Sequence, residues 1–209
     1  LYPSIIVTKN ISPSTLNNKK GNKSPEVEIK GRKKHYYFDT RDSFIPKVVE
    51  ELILKRNEIK KKLKTEKDSS LQGKSYALKT VANSIYGYYG FFGSMYHSME
   101  FAASITSWAR YYIKDVIGKA EKERFEVIFS DTDSIGIYMN KKKEREVLDF
   151  LGRLNKNLPG VIELELENFY NYGLFVSKKG ESTGGAKKKY ALIDNKGEMK
   201  IIGFETVRG

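Results

Sequence analysis

The feature that most constrains this chain is the run Ser130-Asp131-Thr132-Asp133, set between two apolar stretches, Phe125 to Phe129 and Ile135 to Met139. Aromatic and β-branched residues on both sides of four turn-forming residues predict a β-hairpin with both carboxylates at its tip. Two carboxylates two residues apart repel one another unless a cation lies between them. Mg²⁺ is commonly held by one or two carboxylates together with substrate phosphates, so the turn suits one side of a metal site. The competing interpretation is an ordinary surface turn, because Asp supports local turn hydrogen bonds. The length of the flanking apolar strands favours the site.

The rest of the pattern mixes periods. Residues 1 to 9 are apolar and β-branched and predict a strand. Two polar stretches, Asn17 to Ser24 and Lys64 to Ser70, read as loop tips with a short hairpin between them. A long helix is expected after Asp42-Ser43, and a second from about Gln72 to Ile85, ended by the glycines between Gly87 and Gly93. A third covers about Met95 to Glu121, with Met99, Ala102, Ala103, Thr106, Ala109, Ile113, Val116 and Ile117 on one face. Lys142 to Asn155 predicts a further helix, and strands are expected at Val161 to Glu167, Leu174 to Val176, Tyr190 to Ile193 and Lys200 to Phe204. The expected fold class is α+β: an antiparallel sheet backed by helices, with a projecting two-helix hairpin.

Two of these helices carry charge where packing alone would not put it. On a helical wheel the first has Ile45, Val49, Leu52, Ile59 and Leu63 in one stripe, with Arg56 near its centre and Lys60 on its edge. A cation there needs an anionic partner or a wet groove, unless its stem packs while its head reaches water. On the second, Ala77, Leu78, Val81 and Ile85 form one face and Lys79, Asn83 and Tyr86 the opposite one. Lys79 and Asn83 are an i, i+4 pair, so their side chains meet. A cation, an amide and a ring on one face suit a triphosphate, a sugar and a base, and a solvated outer face is the alternative. If the helices pair, Arg56, Lys60 and Lys79 converge on one anion.

Charge points the same way. The 209 residues include 38 Lys plus Arg against 26 Asp plus Glu, a net +12, with a pI near 9.5. A basic balance of this size is a footprint of nucleic-acid binding, since neutralised phosphates release counterions. No cysteine is present, which excludes disulfides and thiolate metal sites and suits a reducing compartment. No apolar run is long enough to span a membrane. Glu163, Glu165 and Glu167 alternate on one predicted strand face, where Glu165 is a candidate third metal ligand and a solvated face the alternative. His35 and His97 show no partner pattern and read as surface or packing residues.

These residues resemble the motifs of family B DNA-directed DNA polymerases, of an archaeal-like kind. Leu1-Tyr2-Pro3-Ser4-Ile5-Ile6 resembles the end of the first motif, Asp-x-x-Ser-Leu-Tyr-Pro-Ser-Ile-Ile. Lys79-Thr80-Val81-Ala82-Asn83-Ser84-Ile85-Tyr86-Gly87 resembles Lys-x-x-x-Asn-Ser-x-Tyr-Gly, and Arg56 with Lys60 the Arg-x-x-x-Lys pattern of the fingers. Ser130 to Ser134 resembles the Asp-Thr-Asp turn, and Lys187-Lys188-Lys189-Tyr190 the basic motif that grips the primer duplex. Gly203 to Arg208 is similar to the segment leading into the thumb. The ordered set covers nearly the whole chain.

The resemblance implies a first part of the palm at 1–43, a fingers helical hairpin at 44–86, and the rest of the palm at 87–209. It implies template-directed DNA synthesis with two Mg²⁺ ions, deoxynucleoside triphosphates and primer-template DNA. Asp133 and Asp131 become the metal ligands; Leu1, Tyr2, Arg56, Lys60, Lys79 and Asn83 bind the nucleotide. The Tyr2 ring is expected to exclude ribose by collision with its 2′-hydroxyl. Tyr86, Gly87, Lys187, Lys188, Lys189 and Tyr190 contact DNA. Further implied partners are the rest of a polymerase chain (exonuclease and thumb) and, through it, a sliding clamp. The motif's leading Asp would lie four places before Leu1, so this chain is expected to be an excised piece that binds DNA weakly without extending a primer. Ser177 to Ala186 departs from the pattern as an insertion. The alternatives are a catalytically dead polymerase-like DNA-binding subunit and an unrelated two-metal nucleotidyl enzyme. Cytoplasm is the expected location, or a nucleus if the source is eukaryotic.

Overall fold

Residues Tyr2–Thr8 form a helix, α1, where the sequence predicts a strand. Pro3 lies in its first turn, where a fixed φ helps and the missing N–H is not needed. Tyr2, Ile5 and Ile6 fall at i, i+3 and i+4, so a helix gathers them on one face. Ile5 and Ile6 are wholly buried, and burial of each contributes about 1.5–3 kcal/mol, more than the strand preference of a β-branched residue. Packing therefore overrides local propensity, and no strand from this segment joins the carboxylate hairpin.

The computed structural model describes residues 1–140, 142–177 and 185–204, with side chains for all but 177 and 185–187. After α1 come five short strands: β1 (Leu16–Asn17), β2 (Asn22–Lys23), β3 (Val27–Ile29), β4 (Arg32–Lys34) and β5 (Tyr37–Phe38). They form a three-stranded sheet in the order β1-β5-β2 and a β3-β4 hairpin. Helices α2 (Phe44–Lys62) and α3 (Ser69–Gly90) follow as an antiparallel pair, then α4 (Met99–Lys122). α1 packs against all three. Ile5, Ile6, Ile11, Phe38, Val49, Phe101 and Ile105 form the centre of this first core.

Caps move two helix starts from their expected places. The Asp68 carboxylate accepts from the N–H groups of Ser70 and Leu71 at 2.7 and 3.3 Å, so α3 opens before Gln72. The Ser98 hydroxyl accepts from Phe101 N–H at 3.2 Å, so α4 opens after Met95. α3 also runs through Gly87 instead of ending there, because Tyr86 and Tyr89 pack on the core and outweigh a glycine's cost of about 1 kcal/mol.

A second core joins α4 to the hairpin β6 (Glu126–Asp131) and β7 (Ser134–Tyr138) and to α5 (Glu144–Asn157), through Val116, Ala120, Phe125, Val147, Phe150 and Leu154. The last sheet has the order β10-β9-β8, from β8 (Tyr170–Ser177), β9 (Gly185–Asp194) and β10 (Met199–Ile202). The strand expected at Val161 to Glu167 is absent. Its alternation survives as far as Glu165, with Ile162 buried, Leu164 half-buried and Glu163 and Glu165 exposed, and is lost at Leu166, which is exposed like Glu167; its backbone partner is a side chain. The Asn155 amide donates to the Leu164 carbonyl and accepts from its N–H, each at 2.9 Å, filling the place of a neighbouring strand. Most of the Ser177 to Ala186 insertion, and the run from Glu205 onward, lie outside the described residues.

Phe129 of β6 ties the carboxylate hairpin to the last sheet. Its ring lies 5.5 Å from Phe175 on β8 and 5.0 Å from Tyr190 on β9. That ring crosses Gly136, where an added Cβ would come 1.9 Å from Phe129 Cε1. Gly136→Ala is therefore expected to destabilise the fold by about 1–3 kcal/mol, as overpacking does. An unchanged denaturation midpoint would contradict this.

Tyr112 offers a second test. Its hydroxyl is buried without a hydrogen-bond partner among the described residues, and burial, with Tyr111 and Asp115 adding to it, pushes its pKa up to about 12. Removing an unpaired buried hydroxyl should stabilise the protein, so Tyr112→Phe is expected to gain about 1 kcal/mol. The unfolded phenol ionises from the ordinary value of 10.0, before the folded one, so wild-type stability should fall as pH rises from 10.0 to about 12. Tyr112→Phe should lose less over that window; parallel losses in denaturant titrations would refute the assignment.

Candidate functional site

The β6-β7 turn places its two carboxylates by local hydrogen bonding. Asp131 pairs with Ser134 across the hairpin, and Asp133 N–H donates to the Asp131 carbonyl at 2.6 Å. Thr132 Oγ1 donates to Asp131 Oδ1 at 3.1 Å, and Ser134 Oγ to the Asp131 carbonyl at 3.1 Å. Thr132 takes a positive φ of 52°, uncommon for a β-branched residue. Asp133 is the more exposed carboxylate, with 55% of its side chain open to solvent against 28% for Asp131.

Each carboxylate has a nitrogen beside it from a distant segment. The Leu1 main-chain nitrogen, at the start of α1, lies 4.0 Å from Asp133 Oδ2. Lys188 Nζ, from β9, lies 3.6 Å from Asp131 Oδ1. Among the described residues no three His, Asp or Glu side chains gather within reach of one metal ion, so Asp131 and Asp133 stand as a pair and Glu165 does not join them.

Of the predicted cations, Arg56 and Lys79 both lie within reach of Leu1, whereas Lys60 pairs with Glu165. Arg56 and Lys60 lie on α2, half-buried, while Lys79 and Asn83 lie exposed on α3. The Leu1 nitrogen is largely buried, and the charges of Asp133, Arg56 and Lys79 all lie within reach of it. One carboxylate and two cations from three separate elements thus surround the start of α1. Arg56 also borders Glu165, whose carboxyl is held below the ordinary range by a hydrogen bond from Lys60, against a smaller effect of burial, with Lys60, Arg56 and Lys64 charges helping. Arg56 Nε is buried without a hydrogen-bond partner among the described residues.

An aromatic floor lies alongside. The rings of Tyr2 and Tyr86 are 4.5 Å apart. Both pack against the first core, so Tyr86 belongs to the buried side of α3 with Ala82 and Ile85. The wheel's division is corrected accordingly: Val81, expected to be inside, is 50% exposed, and Ala77 is exposed too. Tyr86 and Gly87 then open onto a groove of about 510 Å³ between α3 and α4, continued by Gly90, Phe91, Met99, Ala102, Ala103 and Thr106.

On β9 the basic run divides. Lys188 and Lys189 are exposed, whereas the Tyr190 ring is only 8% exposed in the Phe129–Phe175 stack. Packing holds the Tyr190 ring, which anchors the strand. The Lys187 side chain lies outside the described residues. Lys188 has a positive φ of 57°. Gly203, itself at 75°, lies so close that an added Cβ would meet the Lys188 carbonyl oxygen at 1.8 Å. His35 hydrogen-bonds the Ser24 carbonyl at 2.8 Å and His97 is exposed, in keeping with surface or packing roles.

Sequence reasoning did not anticipate the Phe129–Phe175–Tyr190 stack, the Lys188–Asp131 contact or the Lys60–Glu165 pair. All three join residues distant in the chain, and no local pattern marks them. Gly136 was the one available signal, a glycine inside an apolar strand, where close approach is a usual cause.

Residues 1–209, the entire chain, match the family described as DNA polymerase family B. The chain is 39% identical over 219 residues to "DNA polymerase" of Pyrococcus glycovorans, covering all of this chain and 26% of that protein. It is 39% identical over 217 residues to "DNA polymerase 1" of Pyrococcus abyssi, again all of this chain and 26% of the relative. The solved family B DNA polymerase of the hyperthermophilic archaeon Pyrobaculum calidifontis superimposes with a TM-score of 0.69 at 29% identity, over 97% of this chain and 26% of that one. This chain therefore spans about a quarter of the length of the polymerases it matches, and it belongs to DNA polymerase family B.

Proposed function

We propose that this chain forms the nucleotide-addition site of a template-directed DNA polymerase, joining deoxynucleotides from dNTPs to a primer 3′-hydroxyl. The observation that carries the reading is the convergence of Asp133, Arg56 and Lys79 around Leu1. It gathers a carboxylate suited to a metal ion and cations suited to phosphates near one point. In this reading α2 and α3 are the fingers hairpin, and the segments before and after them are the palm.

Arg56, Lys60, Lys79 and Asn83 bind the triphosphate, with the Leu1 main chain beneath it. Cations in fixed positions stabilise the charge that grows on the phosphates without having to reorganise. The Tyr2 ring, braced by Tyr86, lies under the sugar and excludes a 2′-hydroxyl. Tyr86 and Gly87 line the groove that takes the nascent base pair and template strand, while Lys188 and Lys189 meet the primer backbone. These protein contacts go to phosphate and shape, and base pairing supplies the sequence information.

The donors at the turn fit Mg²⁺. Asp131 and Asp133 present hard oxygens in a partly open position, and this ion takes one or two carboxylates while keeping waters and phosphate oxygens as its other ligands. Two such ions would offset phosphate charge and stabilise the attacking and leaving oxygens of an in-line displacement.

In a full-length polymerase carrying this segment, Lys79→Ala is expected to slow nucleotide incorporation by about 100-fold or more, as loss of a charge-stabilising donor does. An unchanged single-turnover rate would remove Lys79 from the site. Tyr2→Ala in the same enzyme should admit ribonucleotides while leaving DNA synthesis largely intact, since the discrimination is steric. Equal exclusion of ribonucleotides by wild type and Tyr2→Ala would refute the role given to this ring.

A further inference from the structure

We propose that Glu165 is a built-in competitor for the phosphate-binding cations, occupying Lys60 when no nucleotide is present and being displaced by the triphosphate. The inference rests on the triphosphate role proposed for Arg56 and Lys60. Glu165 and Lys60 form an ion pair across 105 positions of sequence, joining the middle of one irregular segment to the last turn of α2. Arg56 and Lys64 face the same carboxylate. One carboxylate therefore lies within a group of three cations that a polyanion would also use.

Three observations make Glu165 a replaceable occupant rather than a structural one. Its side chain is 69% exposed, while Lys60 is 32% exposed. Exposed pairs of this kind contribute about 0.2–1 kcal/mol. The segment that carries it belongs to no sheet and is held through the Asn155 amide at Leu164, so the Glu165 side chain can withdraw without breaking a ladder. Arg56 Nε lacks a partner in this arrangement, and one carboxylate leaves it so. A triphosphate, with more oxygens and more charge, satisfies both cations at once. Until it arrives, Glu165 compensates a like-charged cluster and sets the affinity threshold an incoming polyanion must exceed.

Neighbouring Glu163 provides an internal control. It lies two residues away, is exposed, and makes no ion pair among the described residues. The experiment is calorimetric titration of the 209-residue chain with inorganic tripolyphosphate in EDTA, which isolates the cations from any metal. Glu165→Gln is expected to tighten binding about two- to fivefold, the equivalent of one exposed ion pair. Glu163→Gln should change it much less, and Lys60→Ala should weaken it. Glu165→Gln should add less in a Lys60→Ala background, since the ion pair is already broken and only the influence of Arg56 and Lys64 on the carboxylate remains. Glu165→Asp, which keeps the charge but shortens the reach, should fall between wild type and Glu165→Gln, and provides a second variant. Unchanged or weaker binding by Glu165→Gln, or equal tightening by Glu163→Gln, would overturn the competitor role while leaving the triphosphate site standing. Tripolyphosphate binding that is insensitive to Lys60→Ala, or absent in wild type, would instead overturn the triphosphate site itself, and the competitor role with it.

Discussion

The burial of α1 is the constraint on which the rest of the site depends. Ile5 and Ile6 have no exposed surface, and they are enclosed by α2, α3 and α4. Seven residues thereby fix how the two charged helices stand relative to each other. Because Leu1 begins that helix, the same packing sets its nitrogen beside Asp133. A hydrophobic contact is thus what locates an electrostatic site: the charges cannot hold themselves together, and the apolar wedge holds them.

The second support is aromatic. Phe129, Phe175 and Tyr190 join the carboxylate hairpin to β8 and β9, and the Lys188–Asp131 contact lies at the end of that joint. Cations and carboxylates then alternate around the site, Lys60 with Glu165 and Lys188 with Asp131. Lys200 pairs with Glu167 on the same segment as Glu165. A strongly basic chain can keep such a cluster in one place only if carboxylates dilute the repulsion. Exposed pairs achieve that at small energies, which leaves the cations available to ligands.

What was legible in the sequence follows the range of the forces involved. The hairpin at Asp131 and Asp133 could be read because alternating strands and turn formers are local signals. The α2–α3 pair and the presence of Arg56 in an apolar stripe were likewise written in a helical period. α1 was not, because a β-branched run favours a strand until three helices close over it. The segment at 161–167 misled in a subtler way: its residues alternate inward and outward as in a strand up to Glu165, but the partner is the Asn155 side chain, which no periodicity reveals. Tyr86 was assigned to the wrong side of its helix because the wheel weighed hydrophobicity, whereas the buried face was decided by the ring of Tyr2. Lys79 and Asn83 needed no such context, since the motif and the exposed edge of α3 coincide.

Thr132 has a consequence that reaches beyond geometry. A branched side chain in left-handed backbone stores strain of about 1–3 kcal/mol. Glycine would adopt that conformation freely, so a more relaxed hairpin of the same length is one substitution away. The threonine hydroxyl, however, is what reaches Asp131 Oδ1. The chain thus forgoes thermodynamic ease at the one turn that bears both acidic groups. A glycine there would relax the backbone and, in the same step, leave the Asp131 carboxylate without that hydroxyl.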